Sequence, residues 1–512
     1  MSLTKTARGM CLGLVFSVAA GILCARAATS QLGPLLLLAL VGGVALVLVR
    51  GLTRLPIAAL ATLLLFAGYA IFNRSFAEYH LSLGQVPLYI GEMVLLLALP
   101  WALSQSAECA RLSRQPFFLA LAVWIAYCAV RLLAGGLAYG VDALRDSAVW
   151  YYGLFSIIGY VLWSRVRPGV WMRFFVGVFL AQALVTAAVA LAGPFSLPFT
   201  DPTVQVDRAD VMAVNLIGGA TFFLLALRAA RLQGLRILLA TFELGLVPLL
   251  QVRAATIGVL AVLAVLGIQR RWSTLVAILV VPAVALGALA ITHIEVDGLR
   301  GPVSANAVIE RQLSTVSLMF EGKAASEDPL EDTAAWRLYW WNTLLEQAST
   351  SLHTALFGVG FGPNLTDVVG YNQEDPLRPL RSPHNIVMTV FARTGLFGLG
   401  LWLLVQALWF QSVVRGLRTR TQDSPRLSLL ADSLLWLTSY ALAILVAALF
   451  GVVLEGPYGG IPYFLLLGLG VRRAEELAAL KPAAEGVWPR QALGGTLPAP
   501  VGTVLMNRRV SP

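Results

Sequence analysis

Apolar runs close to the roughly 20 residues that carry a helix across a bilayer recur along almost the whole chain, and the polar breaks between them alternate in charge. Reading runs against breaks gives about fourteen candidate spans. They centre near Val15, Leu40, Leu63, Leu95, Val123, Ile157, Phe179, Phe222, Gly245, Ala261, Val281, Leu399, Leu442 and Leu466. With the N-terminus inside, the inside connections carry Lys5/Arg8, Arg50/Arg54, Arg111/Arg114, Arg165/Arg167/Arg173, Arg228/Arg231/Arg236, Arg270/Arg271, Arg415/Arg418/Arg420/Arg426 and Arg472/Arg473. Every one is basic, as the positive-inside rule requires. Merging the two short runs that meet near Arg253 would reverse everything downstream, so they are read as separate spans. Of the 512 residues, 58% are hydrophobic and 12% charged, against about 25% charged in soluble domains. A soluble fold is therefore excluded, and the net charge of +10 reflects topology rather than a nucleic-acid surface.

The expected fold is an all-α integral membrane protein of about 12–14 transmembrane helices. Residues 1–292 form N-terminal transmembrane helices, 293–383 a large periplasmic loop with short helices, 384–475 C-terminal transmembrane helices, and 476–512 a disordered cytoplasmic tail rich in Ala, Pro and Gly. Lys5 and Arg8 before an apolar stretch look like a signal peptide. A second span follows at once, so the stretch is read as a retained first helix. Cys11, Cys24, Cys109 and Cys128 lie in or beside apolar spans, and no CxxC or Cys/His metal spacing exists.

The residues able to carry chemistry are basic groups where the outer loop meets the bilayer. An arginine at the bilayer centre costs roughly 2.5 to 3.5 kcal/mol on insertion scales, so it faces a cavity or a partner. Arg253 sits at the outer end of two apolar runs, where it either serves a site or snorkels to headgroups. In the long loop, residues 334–347 (AAWRLYWWNTLLEQ) read as a helix crowding Trp336, Tyr339, Trp340 and Trp341 around Arg337. Such a helix suits a membrane surface or a sugar equally. Gly358 to Gly362 then permit tight turns. Arg381-Ser382-Pro383-His384-Asn385 immediately precedes an apolar helix, placing the His384 imidazole at the outer boundary. The positive helix end and nearby arginines should keep it neutral and able to accept a proton. No Asp or Glu lies close in sequence to complete a triad, and His80, His293 and His353 make no metal-ligand spacing.

His384-Asn385, nine residues, Gly395, two residues and Gly398 resemble the signature of the O-antigen ligase and polymerase superfamily, H-[NSQ]-x9-G-x-x-[GTY]. Arg253 and Arg337 resemble the family's functional arginines. Leu88-Tyr89-Ile90-Gly91-Glu92 and Leu144-Arg145-Asp146 are similar to its N-terminal half more loosely. Arg208 with Asn215 is similar to a family pair, although Ala213-Val214-Asn215 stands where Asn-Pro-Asn is usual. The resemblance implies a GT-C-like, inverting, metal-independent glycosyltransferase of the bacterial inner membrane, without cofactors. Its donor is a glycan on undecaprenyl pyrophosphate, and its acceptor is a sugar hydroxyl on lipid A-core or growing polysaccharide, at the periplasmic face. In that reading Arg253, Arg337 and Arg208 bind the donor pyrophosphate, His384 assists acceptor attack, and Asn385, Gly395 and Gly398 are structural. Polymerase, protein O-glycosylation and, in another class, lipid-linked glycan transport are the competing readings. The lopsided layout, with one big outer loop before the late helices, favours a transferase over paired transporter halves.

Overall fold

A computed structural model describes residues 55–84, 86–227, 233–292, 296–298, 301–304, 306, 309, 329–367, 380–418 and 425–484. The spans expected at Val15 and Leu40, Cys11, Cys24, His293, much of the long loop and the end of the tail lie outside them. Among the described residues the chain is helical apart from two short antiparallel hairpins, His80–Leu83 with Val86–Tyr89 and Val296–Gly298 with Gly301–Val303. Seven helices are long and apolar enough to cross a membrane, or eight if the pair Ile90–Leu103 and Ser106–Leu112, bent by 92°, counts as one. The chain is thus an all-α, multi-pass membrane protein.

In chain order the helices are α1 (Ile57–Ala77), α2 (Ile90–Leu103), α3 (Ser106–Leu112), α4 (Pro116–Tyr139), α5 (Val141–Asp146), α6 (Ala148–Tyr151), α7 (Phe155–Arg165), α8 (Pro168–Ala192) and α9 (Ala209–Thr221). Then come α10 (Gln233–Leu246), α11 (Arg253–Ile268), α12 (Trp272–Thr292), α13 (Pro329–Ser349), α14 (Leu352–Phe357), α15 (Ile386–Arg418), α16 (Pro425–Ala448) and α17 (Pro457–Ala484). Each expected centre from Leu63 onward falls in or next to one of them. The run around Ile157 is broken, because a 3-10 turn at Tyr152–Leu154 separates α6 from α7. The two runs near Arg253 are separate helices, divided by a 3-10 turn at Pro248–Leu250 and a left-handed Gln251. Pro116, Pro168 and Pro457 open their helices, where a missing N–H costs nothing.

Residues 476–484, expected to belong to a disordered tail, instead continue α17, which runs to Ala484. The physical reason is a second set of contacts beyond the membrane-length segment. Arg472 pairs with Glu475 at 3.1 Å and Arg473 with Glu476 at 2.9 Å, while Leu477 packs into the core.

Helix α17 lies centrally, packed on α1, α7, α15 and α16. Without a hydrophobic drive between helices in lipid, close packing depends on small residues. A Cβ on Gly468 would sit 2.0 Å from the Ser156 carbonyl oxygen, and one on Gly159 would sit 2.4 Å from that of Leu465. Gly468→Ala is therefore expected to lower the thermal midpoint of the purified protein in detergent, with an overpacking cost of about 1–3 kcal/mol. Gly400→Ala, where a Cβ meets nothing within 4 Å, should leave the midpoint unchanged or raised.

The two ends of the bundle differ in chemistry. One gathers Arg271 paired with Asp432, and Arg472 with Glu108, Glu475 and Tyr160. At the other, Tyr79 Oη donates to the Pro198 carbonyl, Arg381 meets Asp146 and Ser382 meets Glu455. That second end carries the long loop and the candidate site.

Candidate functional site at the loop end of the bundle

Asn385 is the residue that starts α15. Its side-chain oxygen accepts from the backbone N–H groups of Val387 at 2.9 Å and Met388 at 3.3 Å, satisfying two of the orphan donors of a helix N-terminus. The asparagine after the histidine is thus the cap of α15. Nine helical residues later the backbone breaks at Gly395 (φ 66°, ψ −171°). There the α15 backbone meets another backbone: a Cβ on Gly395 would lie 2.3 Å from the Leu356 carbonyl carbon, and one on Gly358 2.5 Å from that of Arg393. Two ladder-like bonds seal the approach, Val359 N–H to the Ala392 carbonyl (2.8 Å) and Gly360 N–H to that of Arg393 (3.0 Å). The Gly358–Gly362 stretch is therefore a strap across the first turns of α15. Gly395→Val is expected to destabilise the protein by more than about 1–3 kcal/mol, the usual cost of a left-handed non-glycine residue, because backbone collision is added; loss of monodisperse protein in detergent checks this.

A buried ion cluster holds strap and helix together. Asp146, at the end of α5, accepts from Arg381 Nη2 (2.9 Å), Arg393 Nη1 (2.9 Å) and the Gly362 N–H (3.0 Å). Arg381 also donates to the Gly362 carbonyl at 2.8 Å, and Arg131 to that of Gly358 at 3.0 Å. Burial lowers the Arg381 pKa, and the bonds to Asp146 more than restore it.

His384 sits in the turn between this cluster and α15 with φ +56°, a conformation that a non-glycine residue holds only when its surroundings enforce it. Three contacts do so. Trp341 Nε1 donates to the Pro383 carbonyl at 2.8 Å, Asn385 caps the helix, and Ser382 Oγ donates to Glu455 Oε1 at 2.6 Å. The imidazole meets the Trp340 ring edge-on, 6.3 Å between centroids. Trp340 is fully buried, donates to the Leu365 carbonyl at 3.0 Å and anchors a small second core with Leu344, Leu365 and Ala392. The loop helix expected at 334–347 is real, then, and it walls the histidine.

Burial, then the charges of Arg337 and Arg208, push the His384 pKa down to about 4; Asp210 and the Ser382 carbonyl oppose this. The histidine is neutral near pH 7, as expected from the sequence. Arg337 Nη1 donates to the Phe450 carbonyl at 3.3 Å in the turn between α16 and α17. Arg208, just before α9, is gripped by Asp210 through Nε (3.0 Å) and Nη2 (2.6 Å), while its Nη1 donates to Tyr458 Oη at 2.9 Å. Its guanidinium fork is thus occupied by a carboxylate. The Asp210 carboxylate reaches the same 450s turn, 3.2 Å from where a Cβ on Gly451 would lie.

The structure thus brings His384, Arg337 and Arg208 into one electrostatic neighbourhood, with Asn385 capping the adjoining helix; Gly395 and Gly398 lie further along α15, where a Cβ on Gly398 would meet Thr394 and Tyr127. Arg253 stands at the first position of α11, and its charge is not among those acting most strongly on His384. Sequence reasoning missed Asp210, Glu455, Tyr458 and Arg393. Asp210 lies two residues from Arg208 and Arg393 inside the motif helix itself, whereas Glu455 and Tyr458 arrive from a turn and a helix remote in sequence. No curated protein matches the chain. Residues 237–403, which hold Arg253, Arg337, His384, Gly395 and Gly398, match the family model described as O-antigen ligase, and over that segment the chain is similar to the O-antigen ligase superfamily.

Proposed function

We propose that the chain moves a glycan from undecaprenyl pyrophosphate to an acceptor sugar hydroxyl, with inversion and without a metal, at the periplasmic face of the bacterial inner membrane. The family match implies the general class, a membrane glycosyltransferase acting on a lipid-linked glycan and an acceptor. The observation that carries the finer reading is a neutral histidine buried beside two arginines at the boundary of the bundle.

The chemistry needs three things from such a site. A pyrophosphate leaving group needs fixed cations where its charge develops; Arg337 supplies one, and Arg208 a second once the donor competes with Asp210. Arg253, at the helix N-terminus of α11, is a further cation for the donor. The attacking hydroxyl needs a proton acceptor, and the neutral His384 imidazole is the candidate for it. As the new oxygen–carbon bond forms at the anomeric centre, the bond to phosphate oxygen breaks. The electron pair leaves on undecaprenyl pyrophosphate, and the hydroxyl proton passes to His384.

Donor binding also tunes the base. Burial and the two arginine charges hold the free imidazole at about 4; a pyrophosphate anion seated between the arginines offsets their field and raises the basicity of His384. The histidine becomes a competent base when the leaving group is in place.

The test is transfer by purified protein in lipid, supplied with undecaprenyl-pyrophosphate-linked oligosaccharide with or without lipid A-core. Glycan on lipid A-core that depends on His384 supports a ligase. A ladder of longer lipid-linked chains without added core means a polymerase, and movement of the donor across the bilayer without bond formation sinks the transferase reading.

A further inference from the structure

Glu455 lies in the turn between α16 and α17, 71 residues beyond His384 in the sequence. One of its carboxylate oxygens accepts two hydroxyls, Ser382 Oγ at 2.6 Å and Thr389 Oγ1 at 3.0 Å. These two hydroxyls flank the histidine, one on the turn before it and one on the first turn of α15. Ser382 stands two residues before His384, so fixing its side chain on Glu455 fixes the turn that carries the imidazole. The residue between them, Pro383, is fixed in φ and pinned by Trp341 at 2.8 Å. Little freedom is left for the imidazole once Ser382 is fixed.

We propose that Glu455 is a positioning residue for His384, acting through Ser382. By holding the Ser382 and Thr389 hydroxyls it fixes the turn between them, and with it the direction in which the imidazole is presented to the acceptor hydroxyl. This rests on the reading of His384 as the proton acceptor. The environment of Glu455 agrees with such service. Burial pushes its carboxyl pKa up, while Ser382, Arg393 and Thr389 pull it down. The carboxylate is thus held by partners that all belong to the motif helix or its leading turn. A carboxylate placed only to neutralise Arg393 would not need both hydroxyls, because Arg393 already has Asp146 at 2.9 Å.

The experiment measures transfer kinetics of wild type, Glu455→Ala, Glu455→Gln, Ser382→Ala, the Glu455→Ala/Ser382→Ala double variant and His384→Ala, across pH, in lipid. Misplacing a catalytic group by about 1 Å costs on the order of 100-fold, so Glu455→Ala and Ser382→Ala should each lose kcat on that scale with the donor KM little changed. The double variant should be no worse than the poorer single one. Glutamine keeps an oxygen that can accept both hydroxyls, so Glu455→Gln should recover at least about tenfold over Glu455→Ala. With the turn loosened and hydrated, the acid limb of kcat/KM in Glu455→Ala should move up from about 4 toward 6.5, a displacement that a mere loss of folded protein would not produce. Additive losses, or an unmoved acid limb in folded Glu455→Ala, overturn the proposal; where Glu455→Ala does not fold, an unshifted kcat in Ser382→Ala does so. If His384→Ala transfers as well as wild type, the base assignment itself falls and this role falls with it, a result distinguishable from wild-type behaviour of Glu455→Ala beside an inactive His384→Ala.

Discussion

His384→Ala is expected to lose about 10²- to 10⁴-fold in kcat while inserting normally, the range typical of a general base. The pH profile makes the expectation sharper. The kcat/KM profile reports the free enzyme, so its acid limb should lie near 4, where burial and the two arginines place the imidazole. The kcat profile reports the donor-bound state, in which pyrophosphate offsets those charges, so its limb should lie at higher pH. Coincident limbs would sink the idea that the donor tunes the base. Stability follows the same titration. The folded histidine, at about 4, binds its proton less readily than an ordinary imidazole at 6.5, so the unfolded state holds more protons between those two values. The contribution is fully present above 6.5 and is lost as pH falls through about 4. The strained backbone adds a separate signature: His384→Gly should be as inactive as His384→Ala yet more stable than it by roughly 1 kcal/mol, because glycine adopts the left-handed conformation without penalty.

Asp146→Ala should produce the largest loss of stability. Its carboxylate is only 5% exposed and Arg393 3%, and removing one partner of a buried pair costs about 3–5 kcal/mol because the other charge is left uncompensated. Here two arginines and the Gly362 N–H lose their acceptor together. A thermal midpoint lowered far more by Asp146→Ala than by Asp142→Ala, whose carboxylate is half exposed and 3.6 Å from Arg381, is the expected result. Equal midpoints would show that the cluster is not what fixes the strap.

The membrane architecture was legible in the sequence because lipid permits so few solutions: an apolar run of sufficient length must satisfy its own backbone as a helix. Interruptions were less legible. The break at Tyr152–Leu154 lies inside an apolar run, and nothing in its composition separates α6 from α7. His384, Arg337 and the Gly-rich strap could be picked out because each departs from its surroundings. Glu455 could not, since an acidic residue in a short outer turn reads as solvated until the fold carries it to Ser382. Arg208 was visible as a cation, but its bidentate hold on Asp210 depends on how the chain turns into α9, which spacing alone does not fix.

The break at Gly395 turns the interval behind Asn385 into a ruler. The cap fixes one end of nine helical residues and the backbone crossing fixes the other, about 13 Å apart at 1.5 Å per residue. Inserting one residue between them would raise the cap by about 1.5 Å and swing it by about 100° around the helix axis, carrying His384 away from Trp340 and both arginines without altering any of their side chains. The interval is thus a matter of length and phase, open to wide change in composition but closed to any change in count.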